Sequence, residues 1–177
     1  MNSLLLLFIL NSNINEVALK PDVKKEFYLI LETAQQGNPE AQFTVGISYD
    51  IGDRVEKDPS LAFTWYHKAA QQGHPDAKYN LGIAYDHGDG VEQDYTLAAV
   101  WYKKAALKGH VESQFNLGVA YLLGEGVDRN ESEAYRWLST AALNGDVDAK
   151  NALSLFFAEK SHEKYLITET DVVGKIN

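Results

Sequence analysis

The chain has 177 residues, a mass of 19.7 kDa and a formal net charge of −9, with 45% hydrophobic and 23% charged residues. So acidic a chain lacks the clustered Lys and Arg that nucleic-acid phosphates require, and its apolar content excludes a disordered chain. There is no cysteine, which excludes disulfides, thiolate nucleophiles and zinc or iron–sulfur sites built on Cys.

The N-terminus carries an apolar run, LLLLFIL, at residues 4–10. A membrane-spanning helix needs about 20 apolar residues, so this run is too short to span. Its length suits the core of a signal peptide, but no Lys or Arg precedes it. If Ala18 were the last residue before cleavage, Glu16 would fall where a small residue is needed. An export signal and a buried terminal segment both stay open for residues 1–20, and with them an exported or a cytoplasmic location.

From residue 21 the chain repeats with a period of 36 residues. Gly37, Gly73, Gly109 and Gly145 keep the interval, as do Trp65, Trp101 and Trp137. Gly46, Gly82 and Gly118 share it with Tyr49, Tyr85 and Tyr121, and with Ala62, Ala98 and Ala134. Full units are set at 38–73, 74–109 and 110–145. Residues 22–36 match the end of a unit and residues 146–159 the start of one, so the repeat array covers 21–160. The segment 161–177 has none of the pattern's Trp or Gly and is a divergent tail.

Each unit reads as two helices. Asn38-Pro39 offers a capping side chain followed by a Pro at the first helical position, and Asp146 caps in the same way. His74 and His110 hold that place in the other units, where a weaker cap is expected. Gly88 and Gly90 break the first helix, and Asp58, Asp94 and Asn130 are good N-caps for the second. Asn130 with Glu133 resembles a capping box. Arg54 stands where the second loop glycine belongs, so a less tight loop is expected there. Ala77, Leu81, Gly82 and Tyr85 share one helical face, as do Ala98, Trp101, Tyr102, Ala105 and Ala106. The Trp column is expected in the core, with Trp101→Ala costing about 3–5 kcal/mol.

The run DAKYNLGIAYDHGDGVEQDYTLAAVWYKKAALKG closely resembles the Sel1-like repeat, within the tetratricopeptide-repeat-like superfamily. The resemblance rests on Ala77, Leu81, Gly82, Tyr85, Gly88, Gly90, Val91, Asp94, Ala98, Trp101, Tyr102, Lys104, Ala105, Ala106 and Gly109. It implies an all-α, right-handed α/α superhelical solenoid of helix-turn-helix repeats. It also implies a non-enzymatic scaffold or adaptor whose first helices line a concave groove.

The face of each first helix away from its Ala/Leu/Gly/Tyr columns can be placed at 100° per residue. It carries an aromatic column (Phe43, Tyr79, Phe115), an aliphatic column (Ile47, Ile83, Val119) and acids at Asp50, Asp76, Asp86 and Glu112. Apolar anchors with acidic flanks suit a protein partner, a peptide or helix bearing apolar and basic residues. Two plainer readings compete: acids in first turns favour the helix dipole, and aromatics at helical spacing often pack between units.

Chemistry finds little support, and no catalytic, metal or cofactor-binding residue is assigned. H-E-x-x-H, a P-loop, an EF-hand ligand set and a G-x-S-x-G elbow are all absent. His87 near Asp86 and Asp89 is read as a solvated turn, and Asn130-Glu131-Ser132 as a chance sequon. The alternatives are a cell-envelope hydrolase, which the family resemblance allows, and a peptidoglycan or glycan binder that needs an exposed Trp. A monomer is expected.

Overall fold

The computed structural model describes residues 21–157, with side chains from 24 onward, so the apolar run and the divergent tail lie outside the described residues. Eight helices and no strand are found there: α1 (Pro21–Gln35), α2 (Pro39–Ile51), α3 (Pro59–Gln71), α4 (Pro75–His87), α5 (Tyr95–Ala106), α6 (Val111–Leu123), α7 (Glu131–Leu143) and α8 (Val147–Phe157). The fold is of the all-α repeat-solenoid class. The helices fall into two compact units divided after His74. In the first, α1 packs on α2 and α2 on α3; in the second, α4 to α8 each pack on the next helix in order.

Side-chain caps fix the helix starts. The carboxylates of Asp58 and Asp94 accept from the backbone N–H of Leu61 and Leu97 at 3.0 and 2.9 Å. The Asn130 carbonyl accepts from Ser132 and Glu133, both at 3.1 Å. Glu133 does not reach back to complete a capping box; its carboxylate pairs instead with Arg136. Asn38 and Asp146 cap the N–H of Ala41 and Ala149. His110 is a better cap than expected, because its Nδ1 accepts from Ser113 N–H at 3.2 Å.

The loops end each first helix in a left-handed turn. Gly90 and Gly126 adopt φ values of 72° and 70°, and Arg54 adopts 67° at the same repeat position. The expectation of a looser first loop is therefore corrected: Arg54 takes the conformation glycine would take. Its guanidinium lies 3.5 Å from Glu26 of α1 and 3.3 Å from Asp53, so ion pairs hold a residue that the left-handed region disfavours.

Within a repeat, the Gly column is where the second helix sits down. A Cβ built at Gly46 would lie 2.6 Å from the Tyr66 ring, one at Gly82 2.4 Å from the Tyr102 ring, and one at Gly118 2.8 Å from Leu138. Absence of a side chain lets a large residue of the second helix press onto the backbone of the first. Ala77, Leu81, Ala105, Ala134, Leu138 and Ala141 are fully buried around these seats in the second unit. Trp65 and Trp137 are buried, but Trp101 is only half-buried, which corrects its placement in the core. Each Trp has a cation beside its ring: Lys68, Lys104 and Arg136 at 3.8, 3.8 and 4.4 Å from the centroid.

Candidate functional site

The candidate face is built repeat by repeat on the first helices. In the first unit, Phe43 and Ile47 of α2 are half-buried. The Phe43 ring stacks on His74 with centroids 4.4 Å apart, and His74 Nε2 lies 3.1 Å from Glu40 Oε2. Asp50 is half-buried as well, because the Tyr66 hydroxyl donates to its Oδ2 at 3.1 Å.

The second unit repeats this arrangement. Tyr79 of α4 stacks on His110 with centroids 4.7 Å apart. The two ring nitrogens of His110 face two exposed acids, Nε2 at 3.3 Å from Asp76 and Nδ1 at 3.5 Å from Glu112. The Tyr102 hydroxyl donates to Asp86 Oδ2 at 3.2 Å. Tyr79 and Ile83 pack against a buried cluster of Ala98, Tyr102, Ala106, Leu117 and Trp137. Phe115 and Val119 of α6 pack against Ala134, Leu138 and Ala149.

Ten residues were singled out on the first helices, three in the first unit and seven in the second, and they divide by depth. The six apolar ones (Phe43, Ile47, Tyr79, Ile83, Phe115, Val119) are half-buried and share their area with the core. Asp50 and Asp86 are half-buried acceptors for tyrosine hydroxyls of the second helix. Asp76 and Glu112 are exposed.

Sequence reasoning missed the partners of these residues. His74 and His110 form the lids over Phe43 and Tyr79, and Tyr66 and Tyr102 hold the inner acids. A signal was present: each His follows its aromatic by 31 residues, and each Tyr follows its Asp by 16. The third repeat replaces both members of the second pair at once, with Leu122 for Asp and Leu138 for Tyr. An acid without its hydroxyl would be half-buried and short of a donor, so the pair changes together.

Burial holds several tyrosines in their neutral form. Tyr102 titrates well above the ordinary range, first through burial and then through the neighbouring Asp86 carboxylate. Tyr49 is raised by burial and then by Asp58 and Tyr28, and Tyr79 by burial and then by Glu112. A raised folded value means the unfolded chain loses its protons first, so this stability is present below pH of about 10 and is lost as pH rises further. The midpoint of urea unfolding should accordingly drop between pH 9 and pH 11, and Tyr102→Phe should flatten that drop. An equal drop in the Phe variant would show that Tyr102 does not carry the effect.

In the first two repeats charge is segregated between the two helices, whereas in the third the second helix α7 carries Glu131 and Glu133 beside Arg136. Neither α2 nor α6 contains a Lys or Arg, and α4 has one, Lys78. The second helices α3 and α5 contain no acid, and their charges are Lys68, Lys103 and Lys104. His87 Nδ1 lies 3.9 Å from Asp89 in an exposed turn, and among the described residues no three metal-ligating side chains converge. No described helix is long and apolar enough to cross a membrane.

The Sel1 repeat matches the chain at residues 39–74, 75–110 and 111–146, each one residue later than the units set from the sequence. Among solved structures, c5321, a protective antigen present in uropathogenic Escherichia coli strains with an SLR fold, is 38% identical with a TM-score of 0.73. That alignment covers 76% of this chain and 29% of the antigen. A Sel1 repeat protein from Oxalobacter formigenes is 38% identical with a TM-score of 0.68, over 71% of this chain and 51% of that protein. Cysteine rich protein B of Helicobacter pylori shares the fold at 24% identity and a TM-score of 0.60, over 73% of this chain and 96% of that one. The chain thus spans about a third and a half of the first two relatives. No curated protein matches it.

Proposed function

The chain belongs to the Sel1 repeat family, and from that footing we propose that it is a non-enzymatic adaptor that binds a protein segment on its first helices. Sel1-repeat proteins are generally protein-interaction scaffolds and typically lack catalytic activity. The segment bound here is a peptide or helix with apolar anchors and Lys or Arg flanks.

The observation that carries this reading is the segregation of charge. In the first unit α2 carries Glu40 and Asp50 with no Lys or Arg, and in the second unit the acids Asp76, Asp86 and Glu112 of α4 and α6 meet a single Lys. Exposed carboxylates of one sign raise the local concentration of basic segments and set their register. Apolar anchors of the partner would settle on the half-buried aromatic and aliphatic columns, where Tyr79 and Ile83 already have their undersides fixed by packing. Anchoring residues held by a core lose little entropy on binding.

Selection from a peptide-display library against the intact chain tests this. Enriched peptides should combine apolar residues at helical or alternate spacing with Lys or Arg. Asp76→Lys with Glu112→Lys should weaken the selected peptides by about 10-fold or more while leaving the helical spectrum unchanged, since both acids are exposed. Peptides enriched in acids, or binding indifferent to the reversal, would move the site off the first helices.

A further inference from the structure

We propose a second docking surface, on the outer side of α5 and the groove it shares with α7, whose occupant is an acidic amphipathic helix of another protein. It stands apart from the first-helix site and does not depend on it.

The face is apolar where a soluble helix would be polar. α5 buries Ala98, Ala99, Tyr102, Ala105 and Ala106 and leaves Leu97, Val100 and Leu107 at 38%, 41% and 39% exposure. At 100° per residue these three fall in one sector together with Lys104, running about 15 Å along the axis. Leu107 and Leu143, the latter 73% exposed, both line a depression of about 470 Å³ between the ends of α5 and α7. A stripe at helical spacing that leads into such a groove suits a helix laid along it.

The face is also basic, against the sign of the whole chain. Lys103, Lys104 and Lys108 are exposed, and none is in an ion pair among the described residues. Lys78 of α4 shares the neighbourhood: its ammonium is held below the ordinary lysine range, first by burial and then by Lys108 and Lys104. Cations that already repel one another gain most from an incoming carboxylate.

The repeat architecture does not demand Val100, Lys103 or Lys108, although Lys104 matches Lys68 of the first repeat. Where the second repeat has Val100, the others have Thr64 and Arg136; where it has Lys103, they have His67 and Ser139. At the Lys108 position the others have Gln72 and Asn144, whose amides bond to Gln42 and Gln114 at 2.8 and 3.0 Å. The middle repeat thus replaces an amide pair and two polar surface residues with lysines and an exposed valine.

The test is a fluorescence-anisotropy titration of the full chain with a labelled amphipathic peptide, Leu at helical spacing and Glu elsewhere. Binding should be observed, and Lys104→Glu/Lys108→Glu should weaken it by about 10-fold or more, Lys104→Gln/Lys108→Gln by less, and Asp76→Lys/Glu112→Lys not at all. All the altered side chains are exposed, and circular dichroism checks that each variant folds. Three results would overturn the proposal: no binding, binding unchanged by reversal of the lysines, or equal binding of a peptide with scrambled Leu spacing. Sedimentation in which the chain dimerises and the Lys104→Glu/Lys108→Glu variant does not would assign the surface to a second copy instead, and would overturn it too.

Discussion

Trp137→Ala should lower the unfolding free energy by about 3–5 kcal/mol. The indole is 1% exposed and belongs to a cluster with Ala98, Tyr102, Ala106 and Leu117. Two of those neighbours are alanines on α5, whose side chains cannot extend into the space left behind. A cavity that the surroundings cannot fill adds its own cost to the lost transfer energy. Trp101→Ala should cost clearly less, because that indole is half-buried. Urea unfolding of the two variants decides the matter. Equal losses would mean that membership of the repeat column, rather than burial, sets the energy of these tryptophans.

Gly82→Ala is the second large effect, and its sign is the informative part. In an exposed helix interior this change gains about 1 kcal/mol, because glycine is the poorer helix former. Here the new Cβ would stand 2.4 Å from Tyr102 Cε1 and 2.5 Å from Cδ1. The ring cannot swing away freely, since its hydroxyl is tied to Asp86 and it is 3% exposed. Overpacking of this kind typically costs about 1–3 kcal/mol, which outweighs the propensity gain. Thermal or urea unfolding should therefore show a net loss. Repeating the change in a Tyr102→Ala background removes the obstacle, and there Gly82→Ala should be neutral or stabilising. A loss of the same size in both backgrounds would place the strain elsewhere.

Much of the fold is written locally and was legible for that reason. A 36-residue recurrence in Gly, Tyr, Ala and Trp fixes the repeat, and Asp58, Asp94 and Asn130 mark helix starts because a capping carbonyl or carboxylate acts over only three residues. Arg54 defeated the same logic: its identity argues against a left-handed turn, and the ion pair to Glu26 that holds it there comes from another helix. Trp101 failed differently. Column membership says which way a side chain points and nothing about how deeply its neighbours cover it.

On each first helix, a helical wheel put the singled-out residues on one side but could not grade their depth. It treated Asp50 and Asp86 as equivalent to Asp76, although tyrosine hydroxyls engage the first two and the third is exposed beside the His110 ring. Capping logic read His74 and His110 as weak helix caps, whereas their rings also cover Phe43 and Tyr79. Those contacts join residues 16 and 31 positions apart, beyond the reach of any single-helix pattern. Besides the recurring spacings, the joint change to Leu122 and Leu138 was a trace of the Asp–Tyr pair in the sequence, since internal repeats serve as variants of one another.

The adaptor reading is tested most directly by following backbone amide shifts of the isotope-labelled full chain as a selected basic, apolar peptide is added. The account predicts shifts concentrated on α4 and α6, at Asp76, Tyr79, Ile83, Glu112, Phe115 and Val119, with the outer residues of α5 unmoved. Shifts confined to α5 and α7, or none at saturating peptide, would contradict it.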